Sequence, residues 1–365
     1  MSRVNPVVLI QMMLKYHYDA ITPTSGARTF TFMHNHRMTV HKESTEEVQR
    51  RKSHLNSFKL SSAKMALKES LKRTLAGRLG KVWIAPGMER IAVPLTMSTG
   101  ETGYGVLPTG SHIPIPNGQF VRAFTYWEKV NDIDLSCIGL DCNGNQTEFS
   151  WRTMPNRWSG AAIVFSGDQT SGYNGGSEYY DIDIEAFKKT YPNIRYIVLC
   201  NNVYTHGGQF NECDCIAGFM IRDKDPNQFI FKGERGPVYG ALSLPQPVIF
   251  DPKTVETSFR ITSESSFVYL FALDLEAREM IWLNLARSGS TRVAGATQLD
   301  FLKRYFTITD VINLRDLYAW SGTVVDDPTE ADVVVSDKEI NGLLKENCDW
   351  VASWDFEKIL KFISS

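Results

Sequence analysis

The 365-residue chain holds only six cysteines, Cys137, Cys142, Cys200, Cys213, Cys215 and Cys348, without the dense spacing of secreted scaffolds. That scarcity excludes a small disulfide-stapled fold and points to reduced thiols in a cytoplasm. Long apolar runs are lacking as well. No stretch reaches the roughly 18 uninterrupted apolar residues of a membrane-spanning helix, so any membrane contact is expected to be peripheral. The start, Val7-Val8-Leu9-Ile10-Gln11-Met12-Met13-Leu14, is short, broken by Gln11 and followed by Lys15 and His17. It reads as a first core helix rather than a signal peptide. Excess charge of one sign is absent too, since 39 Lys and Arg face 41 Asp and Glu. No global field draws the chain to nucleic acid or anionic lipid, and any charged surface must be local. Gly-x-Ser-x-Gly elbows, kinase motifs, dinucleotide fingerprints and internal repeats are all missing. No local signature of catalysis is present, and that absence alone does not prove inactivity, because catalytic groups can converge from distant positions.

The chain does have material for cores, with 43% apolar and 12% aromatic residues. Its length favours two or three compact units. Residues 1–92 form a first, helical and basic module. From Arg37 to Arg78 it carries eleven Lys and Arg against four Glu. Leu55, Phe58, Leu60, Met65, Leu67, Leu71 and Leu75 recur there at mostly helical intervals, predicting an amphipathic helix with a basic outer face. That face is either simply solvated or a docking surface for phosphates, nucleic acid or acidic lipid heads. Arg50, Arg51, Lys52, Lys68, Lys72 and Arg73 are the residues it would use.

Four Pro and five Gly between Pro94 and Gly118 mark a boundary. Beyond it, residues 105–286 consist of short β-rich runs separated by turn chemistry. The predicted strands are Phe120–Trp127, Asp132–Leu140, Ala161–Phe165, Tyr179–Ile184, Ile194–Leu199, Ile216–Ile221, Ser258–Ile261, Phe267–Leu273 and Met280–Leu285. Turns are read at Asp141–Asn145, Asp223–Asn227 and Asp274–Arg278, the last closing a hairpin. The fold class is therefore mainly β, with a β-sandwich between the basic module and a small C-terminal α/β tail at residues 298–365. In the tail, helices are expected over Phe301–Trp320, Lys338–Glu346 and Asp355–Phe362, with a strand at Val333–Ser336.

Chemistry concentrates in two oxygen-rich segments. Asp132-Ile133-Asp134-Leu135-Ser136 sets two carboxylates and a hydroxyl on one side of a strand, because side chains two apart point the same way. Such a tip suits either a rim metal site or an ordinary solvated strand start. Ser166 to Glu178 is a loop with four glycines between two predicted strands. Its backbone can turn sharply enough to direct carbonyls toward one point. Asn201 and Asn202 either add oxygens near the same rim or serve as turn residues. His34, His36 and His41 form an H-x-H-x4-H group, read as zinc ligands or as surface histidines. Cys213 and Cys215 lack the C-x2-C spacing of zinc knuckles and read as structural thiols. Arg287 to Arg292 is either a phosphate cup or a linker.

The pattern Asp132-Ile133-Asp134-Leu135-Ser136, then Ser166-Gly167-Asp168, a Gly-rich loop ending in Glu178, and Tyr179-Tyr180-Asp181-Ile182-Asp183-Ile184 resembles the tellurium-resistance TerD family. Leu107-Pro108-Thr109-Gly110-Ser111 and Pro192-Asn193-Ile194-Arg195-Tyr196-Ile197-Val198-Leu199 are similar to that domain too, so the resemblance spans roughly residues 105–285. It implies a non-catalytic, calcium-binding β-sandwich of bacterial stress operons, linked to tellurite, phage and colicin resistance and working with protein partners. The matching acidic positions are Asp132, Asp134, Asp168 and Glu178, with Asn174 and Ser177 as neutral oxygen replacements where the family carries aspartates. Lower ligand charge predicts one weakened calcium site. The alternative is a lost site whose loop is held by hydrogen bonds from Asn174 and Ser177.

Overall fold

The computed structural model describes residues 4–21, 27, 29–34, 37–54, 56–94, 107–141, 145–150, 153, 162–204, 208–222, 255–286, 302–337, 340, 347–353 and 355–364. In chain order the elements begin α1 (Pro6–Ile21), β1 (Thr29–His34), β2 (Arg37–Lys42), α2 (Thr45–His54), α3 (Ser57–Leu75) and β3 (Lys81–Ile84). Next come β4 (His112–Pro114), β5 (Phe120–Glu128), β6 (Ile133–Asp141), β7 (Gln146–Phe149), β8 (Ile163–Phe165), β9 (Gly176–Asp183), α4 (Ile184–Thr190) and β10 (Ile194–Val203). β11 (Asp214–Arg222), β12 (Val255–Ile261), β13 (Phe267–Asp274) and β14 (Glu279–Ala286) follow. The chain closes with α5 (Lys303–Phe306), α6 (Ile308–Val311), α7 (Leu314–Ser321), β15 (Thr323–Val324), β16 (Val333–Val335), β17 (Asp349–Val351) and α8 (Phe356–Ser364).

Two compact units result, one made of residues 1–100 together with 299–365, the other of residues 101–298. The sequence reading set 1–92 and 298–365 apart as a module and a tail. This is corrected: they share one sheet of order β15-β3-β16-β17, parallel at every pairing. Parallel neighbours need a crossover, and the one from β3 to β15 contains the entire second unit. Val333, Val334 and Val335 are buried, as strands covered on both faces require. The Asp332 carboxylate accepts from Lys81 N at 2.7 Å, and Lys81 O accepts from Asp332 N, which stitches the two chain ends together.

The helices of this unit follow local rules. Leu60, Leu67, Leu71 and Leu75 bury one stripe of α3, which packs on Leu9, Ile10, Met13 and Leu14 of α1. Asn56 caps α3 by accepting from Lys59 N at 2.8 Å. Ser44 and Glu47 form a reciprocal capping box on α2. The helix expected over Phe301–Trp320 is instead three short ones. Ile312 turns extended so that Leu314 N can donate to Ile91 O and Asn313 can bridge Ala92, after which Asn313 caps α7. The strand expected at Val333–Ser336 and the closing helix form as β16 and α8, whereas Lys338–Glu346 lies mostly outside the described residues.

The second unit is two antiparallel sheets, β4-β14-β13-β10-β6-β7 and β12-β11-β5-β9-β8. Side chains lock one to the other. Tyr180 on β9 donates its hydroxyl to the carbonyls of Leu135 and Phe149, Asn201 on β10 donates to Thr125 on β5, and Phe259 stacks on Trp282 with ring centroids 4.1 Å apart. All nine expected strands are present. β4 and β7 are additional, a short strand ending at Pro114 and a polar one, both at sheet edges where such sequences are tolerated. The β13–β14 hairpin forms as read, with Asp274 accepting from Glu276 N and Ala277 N. Asp223–Asn227 and Arg287–Arg292 lie outside the described residues.

Candidate metal centre

The two oxygen-rich segments meet at one rim of the sandwich. Asp132 leads into β6, Asp134 lies on it, and Asp168 sits in the loop after β8. One carboxylate oxygen of each lies within 4.8 Å of the others. Asp132 and Asp134 are each only 8% exposed, while Asp168 faces solvent. Burial, then the neighbouring Asp134 and Asp168, push the Asp132 carboxyl up to about 7. Burial and Asp168 likewise push Asp134 up to about 6, against a small opposing pull from Asn202. Two half-sequestered carboxylates and one wet one, all hard oxygen donors, fit a divalent cation of the calcium class. The ion would offset both the burial and the mutual repulsion that raise these groups.

The loop is held by a defined set of hydrogen bonds. Glu178, 1% exposed, accepts from Leu135 N at 2.7 Å through Oε2 and from Gln169 N at 2.9 Å through Oε1. Gln169 returns the contact, its Oε1 accepting from Ser177 N at 2.8 Å. Gly172 N donates to Asn131 O and Lys129 N to Tyr173 O, tying the loop to the β5–β6 turn. Gly172 and Gly176 make room for Trp127: a Cβ on Gly172 would lie 2.5 Å from the indole nitrogen, and one on Gly176 would lie 2.5 Å from Cε2. The Trp127 indole thus forms the floor of the loop, a partner that the glycine pattern did not disclose.

The structure brings together Asp132, Asp134 and Asp168 but treats the other expected ligands differently. Glu178 is near enough to feel Asp134 and Asp168, and burial pushes its carboxyl well above the usual range while the two N–H groups pull it down. Both its oxygens are already engaged by backbone. Ser177 pairs with Tyr126 and Glu178 with Thr125, so the two side chains leave β9 on opposite faces. Ser177, expected as a neutral ligand, thus lies on the face of β9 opposite Glu178. Asn174 is exposed in the loop between Gly172 and Gly176. Asn201 and Asn202 divide in the same way, Asn201 reaching inward to Thr125 and Asn202 donating to Asp134 Oδ2 at 3.5 Å.

The basic positions of the other unit do not form one open face. Arg51 is bound at 2.9 Å to Glu43 in a nearly buried pair, Arg50 pairs with Glu46, and Lys72 with Glu69. Lys68 and Lys72 lie over the Trp320 ring at 5.0 and 5.6 Å. Arg73 is exposed, and the Lys52 side chain lies outside the described residues. His41 pairs with Glu47 at 3.3 Å, while His36 and the His34 side chain are outside the described residues. Cys137, Cys200, Cys213 and Cys215 are buried free thiols. Among the described residues no helix is long and apolar enough to cross a membrane. Comparison with known protein families, with curated proteins and with solved structures finds no match for this chain.

Proposed function

We propose that the inserted sandwich is a non-catalytic calcium-binding module of the TerD type, serving a bacterial stress or defence response in the cytoplasm. Calcium biases the 166–178 loop toward its ordered form, and the ordered rim is the surface a protein partner reads. One observation carries this reading: Asp132, Asp134 and Asp168, from two distant segments, place carboxylate oxygens within 4.8 Å of one another. The residues that gather them are those on which the family resemblance rests. With three carboxylates at the centre rather than four, affinity is expected to be weak, since ligand charge tunes calcium binding over orders of magnitude.

The test is a melting curve of the full chain in chelator and across a calcium titration, with magnesium in parallel and Asp132→Asn/Asp134→Asn alongside. A saturable rise with calcium that the double substitution abolishes supports the reading. A flat titration into the millimolar range overturns it.

A further inference from the structure

We propose that Glu178 is a positioning residue that sets the spacing of the calcium carboxylates without itself being a ligand, an inference that rests on the proposed calcium function. Its two oxygens accept from Leu135 N and Gln169 N, at 2.7 and 2.9 Å. Leu135 follows Asp134 and Gln169 follows Asp168. One buried carboxylate therefore grips the backbone immediately beside each of two metal carboxylates that come from separate segments.

The sheet explains why a side chain does this. β7 pairs with β6 only from Cys137 to Leu140, so β6 has no β7 neighbour at Leu135. Side chains of β9 take the place of that strand: Glu178 accepts from the Leu135 N–H, and Tyr180, two residues on, donates to the Leu135 carbonyl. Each of the two N–H donors meets a different oxygen of the Glu178 carboxyl group, an arrangement that an amide, with one oxygen and one NH2, cannot reproduce. Glu178→Gln keeps the shape but turns an NH2 toward one of the two N–H groups. Whichever segment is released, the distance between Asp134 and Asp168 is no longer held. Outer groups that orient metal ligands commonly govern about 10- to 100-fold in affinity.

Calcium affinity is measured by titration calorimetry on the full chain at a temperature where every variant is folded, for wild type, Glu178→Gln, Asp168→Asn and the double variant. Amide exchange at Leu135 and Gln169 is followed in the same samples. Glu178→Gln is expected to bind at least tenfold more weakly and to lose protection at one or both amides. Adding Asp168→Asn to it is expected to cost little more, because Asp168 is already out of place. A purely structural role would leave the affinity of the folded variant unchanged. Gln169→Ala, which removes only the acceptor for Ser177 N–H, is a milder second variant expected to weaken binding several-fold. The clamp is overturned if wild type binds calcium and both variants bind it equally well. It is also overturned if the losses from Glu178→Gln and Asp168→Asn add fully with both amides still protected, as a direct ligand would give. A wild type that takes up no calcium overturns the proposed function itself, and with it the clamp.

Discussion

Buried acids in the sandwich meet two different fates. Asp181 on β9 is 1% exposed and is gripped by Arg122 on β5, with Nε and Nη2 each 2.7 Å from a carboxylate oxygen and the guanidinium 3.8 Å from the centre of the Tyr179 ring. Asp132 and Asp134 are nearly as buried, yet the charges raising their pKa values are other carboxylates. One site carries its counter-charge in the fold. The other accumulates charge of one sign, and an external cation would complete it. A buried acid therefore marks a place for an exchangeable ion only where its neighbours deepen the repulsion instead of neutralising it.

The contrast can be broken from the paired side first. Arg122→Met should leave Asp181 buried without its guanidinium and destabilise the protein by about 3–5 kcal/mol, read from the denaturant midpoint at neutral pH. Calcium should not restore that loss. At the rim, Asp132→Asn/Asp134→Asn should remove the calcium-dependent stabilisation, which amounts to about 2.7 kcal/mol when free ion is a hundredfold above Kd. In chelator the same double variant should melt no lower than wild type. Gly172→Ala, which drives a methyl group into the Trp127 indole, should cost about 1–3 kcal/mol and weaken calcium binding by displacing the loop.

The smallest effect is in pH. The carboxyls of Asp132 and Asp134 are raised to about 7 and about 6 in the folded chain, above their unfolded values of about 4. Between those limits the folded state holds protons that the unfolded state has released, so stability falls as pH rises through roughly 4 to 7. A rise from about 4 to about 7 is worth at most about 4 kcal/mol, and solvent at the rim screens much of it, so melting curves in chelator should show wild type losing on the order of 1–2 kcal/mol more than Asp132→Asn across that window. Parallel curves for the two would refute the raised Asp132 carboxyl, to which burial contributes most and the neighbouring carboxylates the rest.

Much of the sandwich was legible in the sequence because its determinants are local. Strands such as β6 and β13 announce themselves by apolar runs closed by turn residues, and Asp132 and Asp134 share a side by alternation alone. Asp168 could be joined to them only through the family resemblance. The allocation of hydrogen bonds was not legible. Nothing in the spelling of the loop says that both oxygens of Glu178 are spent on Leu135 and Gln169, or that the paired register of β9 turns Ser177 away. The discontinuous unit was missed for a related reason. β3 is a short run whose partners lie beyond the sandwich, and no periodic pattern encodes a parallel pairing of Val82 with Val324 and Val333.

That last pairing has a consequence for how the protein is made. β3 lies between β15 and β16, so both strands that receive its backbone hydrogen bonds are synthesised after the whole inserted unit. At translation rates of about 5–20 residues per second, the nascent β3 waits tens of seconds with both edges bare. The sandwich, all of whose strands precede β15 in the chain, can close during that interval. The middle of the chain can then mature before the segment that precedes it, whose sheet closes only when β15 and β16 have emerged.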